Sequence, residues 1–229
     1  MAPTVILIRH AEALHSLDFT IRDPPLTDNG LKTQCATLST ALQALPLAQE
    51  ITLIITSPMR RTLQTTSASL GWLMDRDIPA VARAEWQENT VNNIDIGRPV
   101  SELVEEFPKF DFSTVDPIFP AKEGLYEFSQ EALTERGQVA RKWLKERKEK
   151  VVAVVSHDGF MRVGICQRKF GNADYRIFQF EEERDGKDGL GLVELEETEK
   201  NGGGLGTCLK GTFGWLRNDF KYMPKKPQA

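Results

Sequence analysis

Thr4-Val5-Ile6-Leu7-Ile8-Arg9-His10 opens the ordered pattern of the chain: a short β-branched apolar run that stops at an arginine and a histidine. A run of this length, apolar on both faces, suits a strand of a parallel sheet covered on both sides. Two other segments have the same character, Ile51 to Thr56 and Val151 to Ser156. Helix signals lie between them. Thr27 is a capping residue ahead of Leu31, Cys35, Leu38, Leu42 and Leu45, which recur at steps of three and four. After the second strand Ser57 is in place as N-cap, with Pro58 at the first helical position. A third helix is expected from Ser129 to Arg147, with Leu133, Val139, Ala140, Trp143 and Leu144 on its apolar side. Strands alternating with helices predict an α/β fold, a three-layer α/β/α sandwich with a mostly parallel central sheet.

In such a sheet, ligands bind beyond the carboxyl ends of the strands. Those ends carry Arg9-His10, Ser57-Pro58-Met59-Arg60-Arg61 and His157-Asp158-Gly159, so two of the chain's three histidines and three arginines converge if the strands are neighbours. Arg60 and Arg61 fall in the first turn of a helix, where the macrodipole disfavours cations. An anion bound there, held by helix N–H groups and by a guanidinium fork, gives the arrangement a purpose. A neutral imidazole is a good nucleophile toward phosphorus, and surrounding cations stabilise the charge of a phosphoryl transition state.

Composition narrows the classes. The chain has 229 residues, 40% hydrophobic and 27% charged, with a formal charge of −4. It is read as one domain over residues 1–229, with a substrate-loop insertion at about 88–128. The acidic balance argues against nucleic acid as a partner. Cys35, Cys166 and Cys208 are odd in number and lack metal-ligand spacing, as expected in a reducing compartment. No apolar run is long enough for a membrane span, so a cytoplasmic location is expected. No Walker-type loop or carboxylate cluster is present, and neither a metal nor another cofactor is expected. Residues 88–128 are rich in prolines and aromatics around one short helix, Ser101 to Phe107. Residues 181–206 read equally as a hairpin or a loop, and the lysine-bearing tail from Lys221 to Ala229 is assigned no role. No heptad or surface stripe indicates an oligomeric state.

Arg9-His10-Ala11-Glu12 resembles the Arg-His-Gly-Glu signature of the histidine phosphatase superfamily, the phosphoglycerate mutase-like proteins. The likeness continues in Pro25-Leu26-Thr27-x-x-Gly30, in Ser57-Pro58-x-Arg60-Arg61-x-x-Gln64-Thr65, and in Val155-Ser156-His157-x-Gly159. It implies that His10 is phosphorylated, that Arg9, Arg60 and His157 bind the phosphoryl group, and that a carboxylic acid protonates the leaving oxygen. Trp86-Gln87-Glu88 best matches the segment that carries that acid, which assigns Glu88, with Glu85 as the rival. Two departures are visible: Ala11 stands for the usual glycine, and Ser16 for an asparagine that touches phosphate. Ser16 can still donate a hydrogen bond; its neighbour His15 reads slightly better as an exposed loop residue than as a substrate contact.

The function expected is a phosphomonoester hydrolase acting on a small phosphorylated metabolite through a phosphohistidine on His10. A mutase that returns the phosphoryl group to a second hydroxyl is the near alternative. A binding or regulatory protein on the same scaffold, or a scaffold recruited to non-phosphate chemistry, are alternatives of another class. Phe107, Phe110, Phe112, Phe119 and Tyr126 either wall the substrate site or anchor a long loop to the core, with equal weight.

Overall fold

A computed structural model describes residues 2–16, 18–183, 188–216 and 218–220. Six strands form one sheet: β1 (Thr4–Arg9), β2 (Ile51–Thr56), β3 (Ala80–Ala82), β4 (Val151–Ser156), β5 (Tyr175–Phe180) and β6 (Leu192–Glu194). Their spatial order is β3-β2-β4-β1-β5-β6. The first four are mutually parallel, and β5 and β6 run antiparallel at one edge. The expected mostly parallel α/β fold is therefore present. β4 lies between β1 and β2, pairing Arg9 with Ser156 on one side and Thr56 with Val155 on the other. The three strand ends that carry the histidines and arginines are thus adjacent.

Alternation along the strands divides the core in two. Ile6, Ile8, Ile54 and Ala153 face α1 (Cys35–Ala44) and α2 (Arg60–Met74), against Leu38, Leu42, Leu63 and Leu70. Val5, Leu7, Ile55 and Val154 face the opposite layer, made of α4 (Gln130–Lys145) and the helical segment 158–166. Ser129 caps α4, its hydroxyl accepting from the Ala132 amide at 3.2 Å, and Leu133, Gly137, Ala140 and Leu144 form the buried stripe. Val139 and Leu31, expected on apolar faces, are exposed; Val139 lies one position before the buried Ala140, and Leu31 lies in the π-helical turn Gly30–Gln34 ahead of α1.

One boundary next to the site differs from the sequence reading. The second helix starts at Arg60, with Met59 in extended conformation as its N-cap, rather than at Ser57 and Pro58. The Ser57 hydroxyl is engaged by His157 instead, and the orphan amide of Arg60 donates to the Asp23 carboxylate at 3.1 Å. Thr27 does cap its helix: its hydroxyl accepts from Gly30 N at 2.9 Å. The described part of 181–206 carries β6, which pairs antiparallel with β5, followed by the short α5 (Glu196–Glu199). Residues 221–229 lie outside the described residues.

The stretch 88–128 contains α3 (Val100–Glu106) and folds onto the free edge of the sheet, where Asp111 exchanges backbone hydrogen bonds with Ala80 and Ala82. Phe107, Phe110, Phe112, Phe119 and Tyr126 are all buried in the core beside α2 and β3. They anchor the excursion and do not wall the site. All three cysteines are free and buried, and no described helix is long and apolar enough to cross a membrane. Leu63, fully buried between α2 and the sheet, tests this packing. Leu63→Ala is expected to lower the unfolding free energy by about 2–5 kcal/mol, read from chemical denaturation.

Candidate active site

His10 follows β1 and is held on both sides by backbone: its amide donates to Ser156 O, and its carbonyl accepts from Ala173 N. The loop beyond is clamped by the Pro-Leu-Thr segment. Thr27 N donates to Glu12 O, the Thr27 hydroxyl donates to the Glu12 carboxylate at 2.7 Å, and Leu14 N donates to Pro25 O. A Cβ on Gly30 would collide with the Glu12 carbonyl, which explains the glycine of that motif. Ala11 is tolerated; its amide donates to the Thr65 hydroxyl of α2 at 3.0 Å.

The His10 ring is 3% exposed, and its Nδ1 lies 2.7 Å from the Ala11 carbonyl oxygen. A carbonyl only accepts, so Nδ1 carries the proton and Nε2 presents its lone pair. Burial, then the charges of Arg61 and Arg9, hold the imidazole well below its ordinary pKa. His157 stands with its ring centroid 5.1 Å from that of His10. It too is held neutral, by burial first and then by Arg61, His10 and Lys122. Its Nε2 is 2.9 Å from the Ser57 hydroxyl, and its Nδ1 is buried without a hydrogen-bond partner among the described residues. His15 packs edge-on against His10 at 5.7 Å, half-buried, with a pKa pushed down to about 4 chiefly by burial and Arg61. The expectation of an exposed loop residue does not hold for His15.

The phosphate-side arginine suggested by sequence was Arg60, and the geometry favours its neighbour. The Arg60 guanidinium makes a bidentate pair with Glu106 of α3 at 2.8–3.0 Å. Arg61 is 1% exposed, and its charge acts on His10, His15, His157 and Glu88. It is fixed by Ile94 O at 2.6 Å and Asp95 at 3.1 Å. Helical phase explains the difference. Arg61 lies four residues before Thr65, whose hydroxyl accepts from Ala11 in the loop after His10, whereas Arg60 is rotated about 100° away. Arg9 reaches the site edge, donating to Phe170 O at 2.8 Å and keeping a buried Nε without a hydrogen-bond partner among the described residues. Ser16 is exposed in the turn Leu14–Ser16, and no described hydrogen bond engages its hydroxyl.

The two candidate acids separate cleanly. Glu85 is paired with Arg83, whose guanidinium stacks on Trp143. Glu88 lies against the residues that follow His157: its carboxylate accepts from Gly159 N at 3.3 Å and Phe160 N at 3.0 Å. A Cβ on Gly159 would stand 2.5 Å from a Glu88 oxygen, so glycine here makes room for the carboxylate. Burial, and then the charge of Asp95, raises the Glu88 pKa to about 6. Lys122, which the sequence reading passed over, donates to the Glu88 carbonyl at 2.6 Å. Asp23 is fully buried at the start of α2, with a pKa raised to about 6 by burial. Among the described residues no group of three or more His, Cys, Asp or Glu could hold a metal ion.

The sequence profile of the histidine phosphatase superfamily (branch 1) matches residues 5–182. The chain belongs to the histidine phosphatase superfamily. A probable phosphatase of Schizosaccharomyces pombe is 32% identical over 161 residues, covering 67% of this chain and 73% of that protein. A phosphoglycerate mutase-like protein of Arabidopsis thaliana is 30% identical over 200 residues, covering 69% and 72%. Among solved structures, YhfR of Bacillus stearothermophilus superposes with a TM-score of 0.54 at 17% identity, covering 84% of this chain and 95% of that one. The ecdysone phosphate phosphatase of Bombix mori, in complex with tungstate, gives 0.55 at 14% identity, covering 96% and 99%. At these identities the structural likeness speaks for the fold alone.

The histidine phosphatase geometry makes adjacent arginines inequivalent. Arg61→Met is expected to lower kcat/KM for a phosphomonoester by about 100-fold or more, and Arg60→Met by less than about tenfold. Steady-state kinetics on the two variants checks this, and the reverse order would restore Arg60 to the site.

Proposed function

We propose that the chain is a phosphomonoester hydrolase that works through a phosphohistidine on His10. The observation that carries this reading is the tether from His10 Nδ1 to the Ala11 carbonyl, which leaves Nε2 as a free lone pair beside His157 and in the field of Arg61. Nε2 attacks phosphorus and forms the N–P bond as the ester P–O bond breaks. Glu88 gives its proton to the departing alkoxide. Water then attacks the phosphohistidine, passing a proton to the Glu88 carboxylate, and phosphate leaves with His10 restored.

Arg9 and Arg61 bind the phosphoryl oxygens, and His157 adds a donor. With Ser57 donating to His157 Nε2, the Nδ1–H is the one free to meet an oxygen. A bound dianion raises the His157 pKa and draws a proton onto it, reversing the effect of burial. The charge is supplied by side chains, so activity is expected to survive a chelator. Hydrolysis takes its support from the probable phosphatase of Schizosaccharomyces pombe, 32% identical, while the Arabidopsis thaliana relatives carry phosphoglycerate mutase-like names. Isomerisation of a phosphoglycerate without phosphate release would transfer the assignment to a mutase.

On rapid mixing with a radiolabelled phosphomonoester, acid-labile phosphate is expected on His10. His10→Ala should show neither label nor turnover above background; full activity in that variant would exclude the covalent route. Glu88 acts while protonated, so kcat/KM should fall as pH rises through about 6, where the raised carboxyl loses its proton. Glu88→Gln should remove that limb and lower the rate on alkyl phosphates by about 100-fold or more. The loss should be far smaller with p-nitrophenyl phosphate, whose leaving group needs no proton.

A further inference from the structure

All three histidines of the chain meet in the cleft, and the phosphatase mechanism uses only two of them. His15 presents its ring edge to His10, with centroids 5.7 Å apart and planes at 80°. The turn that carries it is fixed from both ends: Leu14 N donates to Pro25 O at 2.9 Å, and Ser16 N donates to Ala13 O at 3.0 Å. The charged groups acting on the ring are the Arg61 guanidinium from α2, the Arg9 guanidinium from β1 and the Asp95 carboxylate from the excursion. His15 in turn acts on His10 and on His157. Arg61 and Arg9 are the same two guanidiniums that act on the nucleophile, so His15 shares its surroundings.

The ring is half-buried, and its Nδ1 is buried without a hydrogen-bond partner among the described residues. Asp95 is already committed: one carboxylate oxygen accepts from Arg61 at 3.1 Å and the other from Thr90 at 2.6 Å. A phenyl ring would pack against His10 equally well and leave no nitrogen to desolvate. An imidazole at this position therefore has a use beyond packing. Burial, then the charge of Arg61, lowers its pKa to about 4, so the ring is neutral and adds no third cation beside the two guanidiniums. A phosphoryl group brought among them reverses that field: its negative charge raises the pKa of the imidazole, and the ring takes a proton from solvent. One residue on, the Ser16 hydroxyl is exposed, and no described hydrogen bond engages it. The turn thus directs His15 inward and Ser16 outward, at the place where the sequence likeness expects a phosphate contact.

We propose that His15 is a phosphoryl-binding residue, whose ring donates to a non-bridging oxygen of the group that reacts with His10. This rests on the phosphatase reading above and gives His15 the contact expected of Ser16. A neutral ring donates through the N–H of one tautomer, and a protonated ring donates from both nitrogens.

The test uses the full chain with nitrogen-15 in its histidines, which gives three imidazoles to follow by magnetic resonance. Inorganic phosphate is the probe, and the His15 signals are assigned by their loss in His15→Gln. At saturating phosphate, the ring nitrogens of His15 are expected to shift along with those of His10 and His157. His15→Phe keeps a ring packed on His10 and removes the nitrogens. It should leave thermal unfolding unchanged. It should also raise the inhibition constant for phosphate and the KM for p-nitrophenyl phosphate by about tenfold or more, the scale of a charged hydrogen bond. His15→Gln, whose amide still donates, should lose less, and Ser16→Ala should change both constants by less than about twofold. A packing role alone predicts the opposite order, with His15→Phe neutral and His15→Gln damaging. That order overturns the proposal, and so do His15 signals that stay still while those of His10 and His157 shift. Phosphate release by the unsubstituted protein in those cases leaves the phosphatase reading intact. Phosphate that moves none of the three imidazoles, with no release from p-nitrophenyl phosphate, refutes both.

Discussion

A buried guanidinium organises this molecule. Arg61 sits at the start of α2 with almost no solvent contact, and a charge in that position must be paired. Asp95 and the Ile94 carbonyl pair it, and both come from the excursion that follows β3. One interaction therefore fastens the irregular segment to the sheet ends and sets the potential in the cleft. The Thr90 hydroxyl donates to the other Asp95 oxygen at 2.6 Å, so the carboxylate is held from two sides.

The protonation pattern follows from that potential and from burial together. Burial disfavours every charged form. The field of Arg61 adds to this for the histidines and opposes it for Glu88 and Asp23. The site thus keeps a neutral His10 imidazole beside a Glu88 carboxyl group that still carries a proton near pH 6. Burial acts on both groups; the Arg61 charge reinforces it at His10 and opposes it at Glu88, where the charge of Asp95 adds to burial.

The excursion is held by aromatics in the core and by backbone pairing at Asp111, and its ends supply the site: Glu88 and Asp95 where it leaves the sheet, Lys122 before it enters α4. Rigid anchoring under a loop lets it deliver charged groups to fixed positions at the cleft. Apolar residues do the fastening, and polar ones face the chemistry.

Much of this was legible in the sequence. Local runs of Val and Ile specify the strands, and the register of His10 and His157 follows because each ends such a run. Glu88 needed the likeness to a known family, since an isolated glutamate has no period to mark it. The choice between Arg60 and Arg61 was lost because the second helix begins at Arg60 rather than at Pro58, and the buried direction depends on where the helical phase begins. β3 and β6 are three residues each and β5 carries Arg176 and Gln179, so none reads as an apolar run. Lys122 and His15 carry no local signal at all. The sequence alone determined the parallel strands and the two histidines at their ends. Tertiary structure decided which arginine faces them, which glutamate keeps a proton and which lysine is drawn in. Those outcomes depend on burial and on charges from distant segments, and neither is encoded in the spacing of neighbours along the chain.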